Sequence, residues 1–260
     1  MWLDVSWFSK DTLRQYSLDS FELNCKLVTE FKKPLITRIA GDKLGIQKFQ
    51  FNYYNDSIWE LNEKLISDTN KFIHLSGYWA WPQYFENNSA AVQKDFRLKI
   101  PLETACPKWV DIAIQNNSVS LHIRRSDYLS DKSNFELFGF LGIDYYRKAI
   151  NYISKQINAP AFLLFSDDLA WVKENFIAAT GIKNYYLVED DCFTDHAREL
   201  ILMSYCKHNI TANSSFSWWG AWLNQNANKI VIQPQTWYAD ATAQAAYQKG
   251  IMNIRGSIKL

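Results

Sequence analysis

The run Ser120-Leu-His-Ile-Arg-Arg-Ser-Asp-Tyr128 ends an alternating apolar stretch in two adjacent arginines and an aspartate. Val119, Leu121 and Ile123 recur at a period of two, the pattern of a half-buried strand. That pattern puts His122 and Arg124 on the opposite face and Arg125 at the strand's exit. Each guanidinium offers a planar fork of donors, and two of them at one strand end suit the oxygens of a diphosphate. The sequence therefore predicts a phosphorylated ligand here. Asp127, beside the arginines, would orient a guanidinium or accept a proton.

Two further polar groups follow strand-like runs. Ser166-Asp167-Asp168 comes after Ala161–Phe165 and offers acceptors to ring N–H groups such as those of guanine. Asn213-Ser214-Ser215 comes after Ile210–Ala212 and opens a helical pattern, where unpaired backbone N–H groups and the helix dipole favour an anion. Each motif also has a plain structural reading. An Arg-Arg-x-Asp cluster is equally an ion pair, and Asp-Asp or Asn-Ser-Ser before a helix is equally a cap. What favours a site is that all three follow strands and would share one sheet edge.

The elements that must position these groups alternate along the second half of the chain. Strands are expected at Ser118–Ile123, Ala161–Phe165, Tyr185–Val188, Ile210–Ala212 and Lys229–Ile232. Helices are expected from Asp144 to Ile157, from Asp168 to Gly181, from His196 to Cys206, and after Ser215. Five strands alternating with helices predict an open α/β sheet, with a ligand crevice at its carboxyl edge. The first hundred residues are less regular. Ile58, Leu61 and Leu65 suggest an amphipathic helix, and Phe72–Leu75 a strand followed by Gly77, Tyr78, Trp79, Trp81, Tyr84 and Phe85. Pro101 and Pro107 bracket a connector, and a boundary near 107–117 divides residues 1–115 from 116–260. Trp218 and Trp219 read as helix packing, and Gly220 as a point of close helix approach.

With 260 residues, 48% of them hydrophobic, the chain can bury a substantial core. Lys and Arg number 28 against 27 Asp and Glu, so no net basic field marks nucleic acid as the main partner. Aromatic residues make up 16%, with 11 tryptophans; much of that must be core, and surplus exposed aromatics suit sugar faces or a partner surface. Cys25, Cys106, Cys192 and Cys206 show no CxxC spacing and read as unpaired thiols in a reducing compartment. Glu189-Asp190-Asp191 reads as a solvated loop rather than a metal site, and His196 and His208 do not make a metal pair. Nothing at the start looks like a signal peptide, and no apolar run reaches the roughly 18 residues of a membrane span.

Three stretches carry a resemblance: His122-Ile-Arg-Arg-Ser-Asp-Tyr128; Phe165-Ser-Asp-Asp168 with Trp171-Val-Lys173; and Leu202–Ile210 running into Ala212-Asn-Ser-Ser-Phe-Ser-Trp-Trp-Gly-Ala-Trp-Leu223. Gly77-Tyr-Trp79, Tyr84-Phe85 and Lys94-Asp95-Phe96 add to them. On these the chain resembles the bacterial α-1,2-fucosyltransferase family, glycosyltransferase family 11. The resemblance implies a GT-B-like fold of two Rossmann-like lobes, the second an open parallel sheet holding GDP-fucose and the first incomplete. It implies that Arg124 and Arg125 take the diphosphate with Asp127 in the catalytic group. His122 with Asp167 or Asp168 would take the base, and Ser214, Ser215 and Phe216 would line the phosphate end. Tyr78, Trp79 and Trp81 would meet a galactose-terminated glycan or lipid-linked oligosaccharide. No metal or other cofactor is expected, and the implied location is cytoplasmic, at the inner face of the membrane. The family's opening Gly-Gly-x-Gly-Asn-Gln loop does not occur, the first glycine being Gly41, and Ser126 stands where a glycine is common. The chain thus reads as amino-terminally shortened. That adds an alternative expectation: an inactive relative that binds GDP or a glycan.

Overall fold

The computed structural model describes residues 1–9, 16–29, 52–56, 59–70, 73–115 and 117–260, with the backbone alone at Asp127 and Ser130. Gly41, Ile58, Phe72 and Asn116 lie outside the described residues.

The carboxyl-terminal part is built on six parallel strands: β5 (Ser118–Ile123), β6 (Ala161–Ser166), β7 (Tyr185–Leu187), β8 (His208–Ile210), β9 (Val231–Gln233) and β10 (Ile258–Lys259). Their spatial order is β10-β9-β8-β5-β6-β7. Counted from β5, that is the 3-2-1-4-5-6 order of a doubly wound Rossmann sheet. The chain reverses its direction of travel between β5 and β8, which makes their carboxyl ends the switch point where such sheets bind ligands.

Strand β5 differs from the half-buried expectation: all six residues are buried. It is a central strand, paired with β6 through Leu121–Leu164 and with β8 through Leu121–Ile210, and both its faces are covered. The alternation therefore sorts apolar from polar core positions rather than core from solvent. Ser118, Ser120 and His122 are the polar side chains so enclosed. Ser120 Oγ accepts from Asn209 Nδ2 at 2.7 Å, and that amide also reaches the Met203 carbonyl at 2.9 Å. Asn224 Nδ2 donates to Asn209 Oδ1 and to the Cys206 carbonyl, each at 2.7 Å. A buried amide seam thus joins β5 to β8.

Helix Ile143–Gln156 buries Tyr145, Tyr146, Ala149, Ile150 and Ile153, a stripe at helical spacing, against one face of the sheet. Helix His196–Tyr205 covers the other face and meets helix Ser215–Leu223 at Gly220, where a Cβ would lie 2.7 Å from Met203 Cβ. Asp168 caps the segment Leu169–Trp171, which continues through a π-helical stretch, Val172–Phe176, to Ile177–Thr180 and ends at left-handed Gly181.

Among the described residues of the first part, β1 (Trp2–Asp4) pairs with β2 (Lys26–Val28) and β3 (Asn52–Asn55) with β4 (Ile73–Ser76), both in parallel. A helix forms at Glu63–Ile66. The expected connector between Pro101 and Pro107 carries a short helix, Leu102–Ala105, and helix Pro107–Ile114 follows it. Phe21, Leu98, Leu102 and Trp109 share one core cluster with Leu163 and Leu202 of the second part.

The unpaired-thiol expectation is corrected for two cysteines. Cys106 and Cys192 form a disulfide across 86 positions, with Cα atoms 5.6 Å apart, while Cys25 and Cys206 are thiols. Spacing rules see only close cysteines, and here the fold brings distant ones together. No helix among the described residues is long and apolar enough to cross a membrane.

Candidate functional site

Three strand exits meet at the switch point. The β5 and β6 exits are tied through Asp167. Its carboxylate accepts from the backbone N–H groups of Arg125 at 2.9 Å and Ser126 at 3.0 Å, and lies 3.1 Å from Arg124 Nη1. Ser126 Oγ donates to the Asp167 carbonyl. The β5 and β8 exits are tied by Tyr128, whose hydroxyl donates to the Asn213 carbonyl at 2.8 Å, and by the His122 ring, 5.6 Å from that of Phe216.

The two arginines differ in setting. Arg124 is about one-third exposed, ion-paired with Asp167, and its guanidinium lies 5.7 Å from the Tyr128 ring. Arg125 is 14% exposed. Its Nε meets Asp168 Oδ2 at 3.2 Å, and its guanidinium carbon stacks 3.7 Å from the centroid of Trp171, with Phe140 at 5.2 Å. The ion-pair and capping readings of Arg-Arg-x-Asp and Asp-Asp are therefore both realised: Asp168 Oδ1 also accepts from Trp171 N at 3.0 Å. They do not exhaust the arginines, because Nη1 and Nη2 of Arg125 have no hydrogen-bond partner among the described residues.

His122 is 4% exposed, and its Nδ1 is buried with no partner among the described residues. Burial, helped by the Arg124 charge, depresses its pKa to about 3. The ring is neutral and keeps one N–H and one lone pair. Ser166 Oγ accepts from Asp168 N at 3.0 Å. Ser214 takes the N-cap position of helix Ser215–Leu223 without a side-chain capping bond, which leaves its first-turn N–H groups uncapped by a hydroxyl. Ser215 is exposed and Phe216 half-buried there.

Some predicted residues fall elsewhere. The Asn213 side chain turns inward and donates to the Phe138 and Trp237 carbonyls at 3.0 and 3.1 Å. It braces the turn from behind. Trp81 is 3% exposed and packs in a core with Trp218, Trp237 and Tyr247, so its ring face is closed to a sugar. Tyr78 is 69% exposed. Trp79, at φ +50°, lies edge-on to Tyr84, and both Tyr78 and Trp79 donate backbone N–H groups to Asp56 Oδ2. The backbone puts Asp127 in the first turn of helix Ser126–Ser130, but its side chain lies outside the described residues.

Sequence reasoning missed Trp171 and Phe140 as partners of Arg125. It also passed over His196, whose ring faces Phe216 edge-on at 6.2 Å and whose pKa is raised by its pairing with Glu199. Trp171 stood three residues after Asp168, at the position whose backbone N–H an N-cap carboxylate holds.

Strand order and the cationic turn at the switch point define a doubly wound α/β sheet of the Rossmann type. The family model "Glycosyl transferase family 11" matches residues 26–255, and the chain belongs to that family. It is 44% identical over 123 residues to the O-antigen biosynthesis glycosyltransferase WbnK of Escherichia coli, covering 47% of this chain and 40% of that protein. It is 31% identical over 183 residues to an alpha-1,2-colitosyltransferase of Escherichia coli, covering 69% and 61%. It is 23% identical over 158 residues to galactoside alpha-(1,2)-fucosyltransferase 2 of Bos taurus, covering 59% and 45%. The chain thus spans less than two thirds of the length of each of these relatives.

Proposed function

We propose that the protein transfers L-fucose from GDP-fucose to O2 of a terminal galactose in a glycan, with inversion and without a metal ion. The observation that carries this reading is the pair of guanidinium groups at the switch point, Arg125 stacked on Trp171 and Arg124 paired with Asp167. The bond from the sugar's anomeric carbon to the β-phosphate oxygen breaks, a bond to galactose O2 forms, and the O2 proton passes to a base. Negative charge grows on the departing phosphate. A guanidinium already held in place stabilises that charge with no reorganisation at the moment of reaction.

The remaining roles follow from position. Neutral His122, with an unpartnered buried nitrogen, suits the hydrogen-bonding edge of the base, with Asp168 and Ser166 at the neighbouring exit. Ser214, Ser215 and Phe216 bring uncapped N–H groups towards the phosphates. Asp127 is the base candidate, two residues beyond Arg125. Residues 1–115 form the acceptor side of a two-lobed GT-B-like molecule, with Tyr78 offering an exposed ring to a galactoside. A cytoplasmic setting at the membrane's inner face fits a lipid-linked acceptor.

Two observations favour variants of this reading. The colitosyltransferase relative shares the α-1,2 linkage in its name and differs in the sugar, so colitose is the competing donor. Ion-paired Arg124 and Arg125 can hold a diphosphate whether or not transfer follows, so GDP binding without transfer is the alternative. Product analysis after incubation with GDP-fucose and a panel of galactosides, with and without EDTA, tests the proposal. A 2-fucosylated product that resists EDTA supports it. GDP binding by calorimetry with no product from any galactoside overturns the fucose-transfer reading.

A further inference from the structure

We propose that Trp171 is the positioning residue of Arg125: with Asp168 it forms a cradle that fixes the direction of the guanidinium fork. The inference rests on reading Arg125 as a phosphate ligand. It adds how this chain aims that ligand.

Four observations converge. The guanidinium lies 3.7 Å from the Trp171 ring centroid, which is direct face contact, and Phe140 stands 5.2 Å away. Nε, the nitrogen nearest the stem, donates to Asp168 Oδ2 at 3.2 Å. The same carboxylate uses Oδ1 to hold the Trp171 backbone N–H at 3.0 Å, so one side chain sets both members of the stack. Nη1 and Nη2 carry no hydrogen bond among the described residues. A purely structural Arg–carboxylate pair commonly engages two parallel N–H groups of the fork. Here the carboxylate takes the stem-side nitrogen and the tryptophan takes the face, which leaves the outer pair for an anion. The helix carrying Trp171 turns π-helical immediately after it, over Val172–Phe176, a local widening that recurs at functional sites.

The chemistry explains the residue types. A stacked, planar, delocalised cation keeps its forward donors while its face is covered, which a lysine ammonium does not do. Tryptophan gives the strongest cation–π face among the aromatic side chains.

The test uses Trp171→Leu, with Trp171→Phe and Trp171→Tyr as conservative variants, in the full chain. Three quantities are read: GDP affinity by calorimetry, kcat and KM for GDP-fucose and for lactose, and the ring-current shift of the Arg125 Nε–Hε resonance, assigned with Arg125→Lys. In Trp171→Leu, GDP affinity and donor kcat/KM are expected to fall about 10-fold, lactose KM to hold, and the Hε resonance to return to its ordinary position. Phe and Tyr are expected to recover to within about 3-fold of native. A folded Trp171→Leu variant with GDP affinity and donor kcat/KM at native values overturns the proposal, as does a rise confined to lactose KM. If the leucine variant does not fold, an Arg125 Hε resonance at its ordinary, unshifted position in the native protein overturns the proposal. If Arg125→Ala leaves GDP affinity unchanged, the donor reading fails instead. The Hε shift then decides Trp171 alone: lost in the leucine variant it supports the cradle, retained it overturns it.

Discussion

Asp167 Oδ1 accepts the backbone N–H of Arg125 at 2.9 Å across 42 positions of sequence. With Oδ2 on the N–H of Ser126 and on Arg124, one carboxylate shapes the whole turn that presents both arginines. The turn is therefore shaped by bonds within the protein. Asp167→Ala leaves two N–H groups and one guanidinium without that partner. It is expected to cost about 1–2 kcal/mol in urea unfolding, less than a core truncation because the turn is partly solvated, and to weaken GDP binding measured by calorimetry.

Arg124→Ala and Arg125→Ala are each expected to lower transfer from GDP-fucose by roughly 10²–10³, the scale for losing a preorganised donor to developing charge. Initial rates with lactose check this. Near-native turnover in both would remove the arginines from the chemistry.

His122 titrates near 6.5 when unfolded and at about 3 when folded. Between those values the unfolded chain binds the extra proton, so stability is full above pH 6.5 and is lost as pH falls towards 3. Between pH 7 and 5 the native protein is expected to lose about 2 kcal/mol more than His122→Asn. Parallel urea titrations at the two pH values measure the difference, and equal losses would show that His122 protonates freely in the fold.

The Cys106–Cys192 bridge predicts a labelling pattern. Denatured without reductant, the chain is expected to take alkylating reagent at Cys25 and Cys206 only. Cys192→Ser is expected to lower stability by about 2–4 kcal/mol through the long loop it opens. Mass spectrometry showing four labelled cysteines without reductant contradicts the pairing.

Gly220→Ala places a methyl 2.7 Å from Met203 Cβ, where neither helix has room. The two helices must separate, and a loss of about 1–3 kcal/mol is expected from thermal or urea unfolding. An unchanged midpoint would mean that the crossing is looser than its geometry.

Much of the carboxyl-terminal sheet was legible because its signals are local. The apolar runs of β5 and β6 and the Asp168 and Gly181 caps fix those elements within a residue. Strand β8 was displaced by two positions because it starts with His208 and Asn209, polar residues buried only because each has a partner: Ile230 N for the imidazole, Ser120 for the amide. Strand β10, two residues long, has no periodicity to read. In the site, the arginines announced themselves by charge. Their aromatic cradle did not, since Phe140 and Trp171 look like core and meet only in the fold. Nor does Tyr78-Trp79-Ala80-Trp81 say which ring faces out. The left-handed backbone at Trp79 and the packing of Trp81 on Trp218 decide it.

The amide seam of Ser120, Asn209 and Asn224 lies below the crevice and spends none of its groups there. It acts as a foundation bolt: the spacing of the two strands at the switch point is set in the interior, one storey beneath the mouth. The segments above it, 124–130 and 213–216, are held by partners of their own, Asp167 for the first and the Phe138 and Trp237 carbonyls for the second. A graft of either segment from a relative must therefore carry its anchoring partners with it, while the seam and the strand spacing it sets stay as they are.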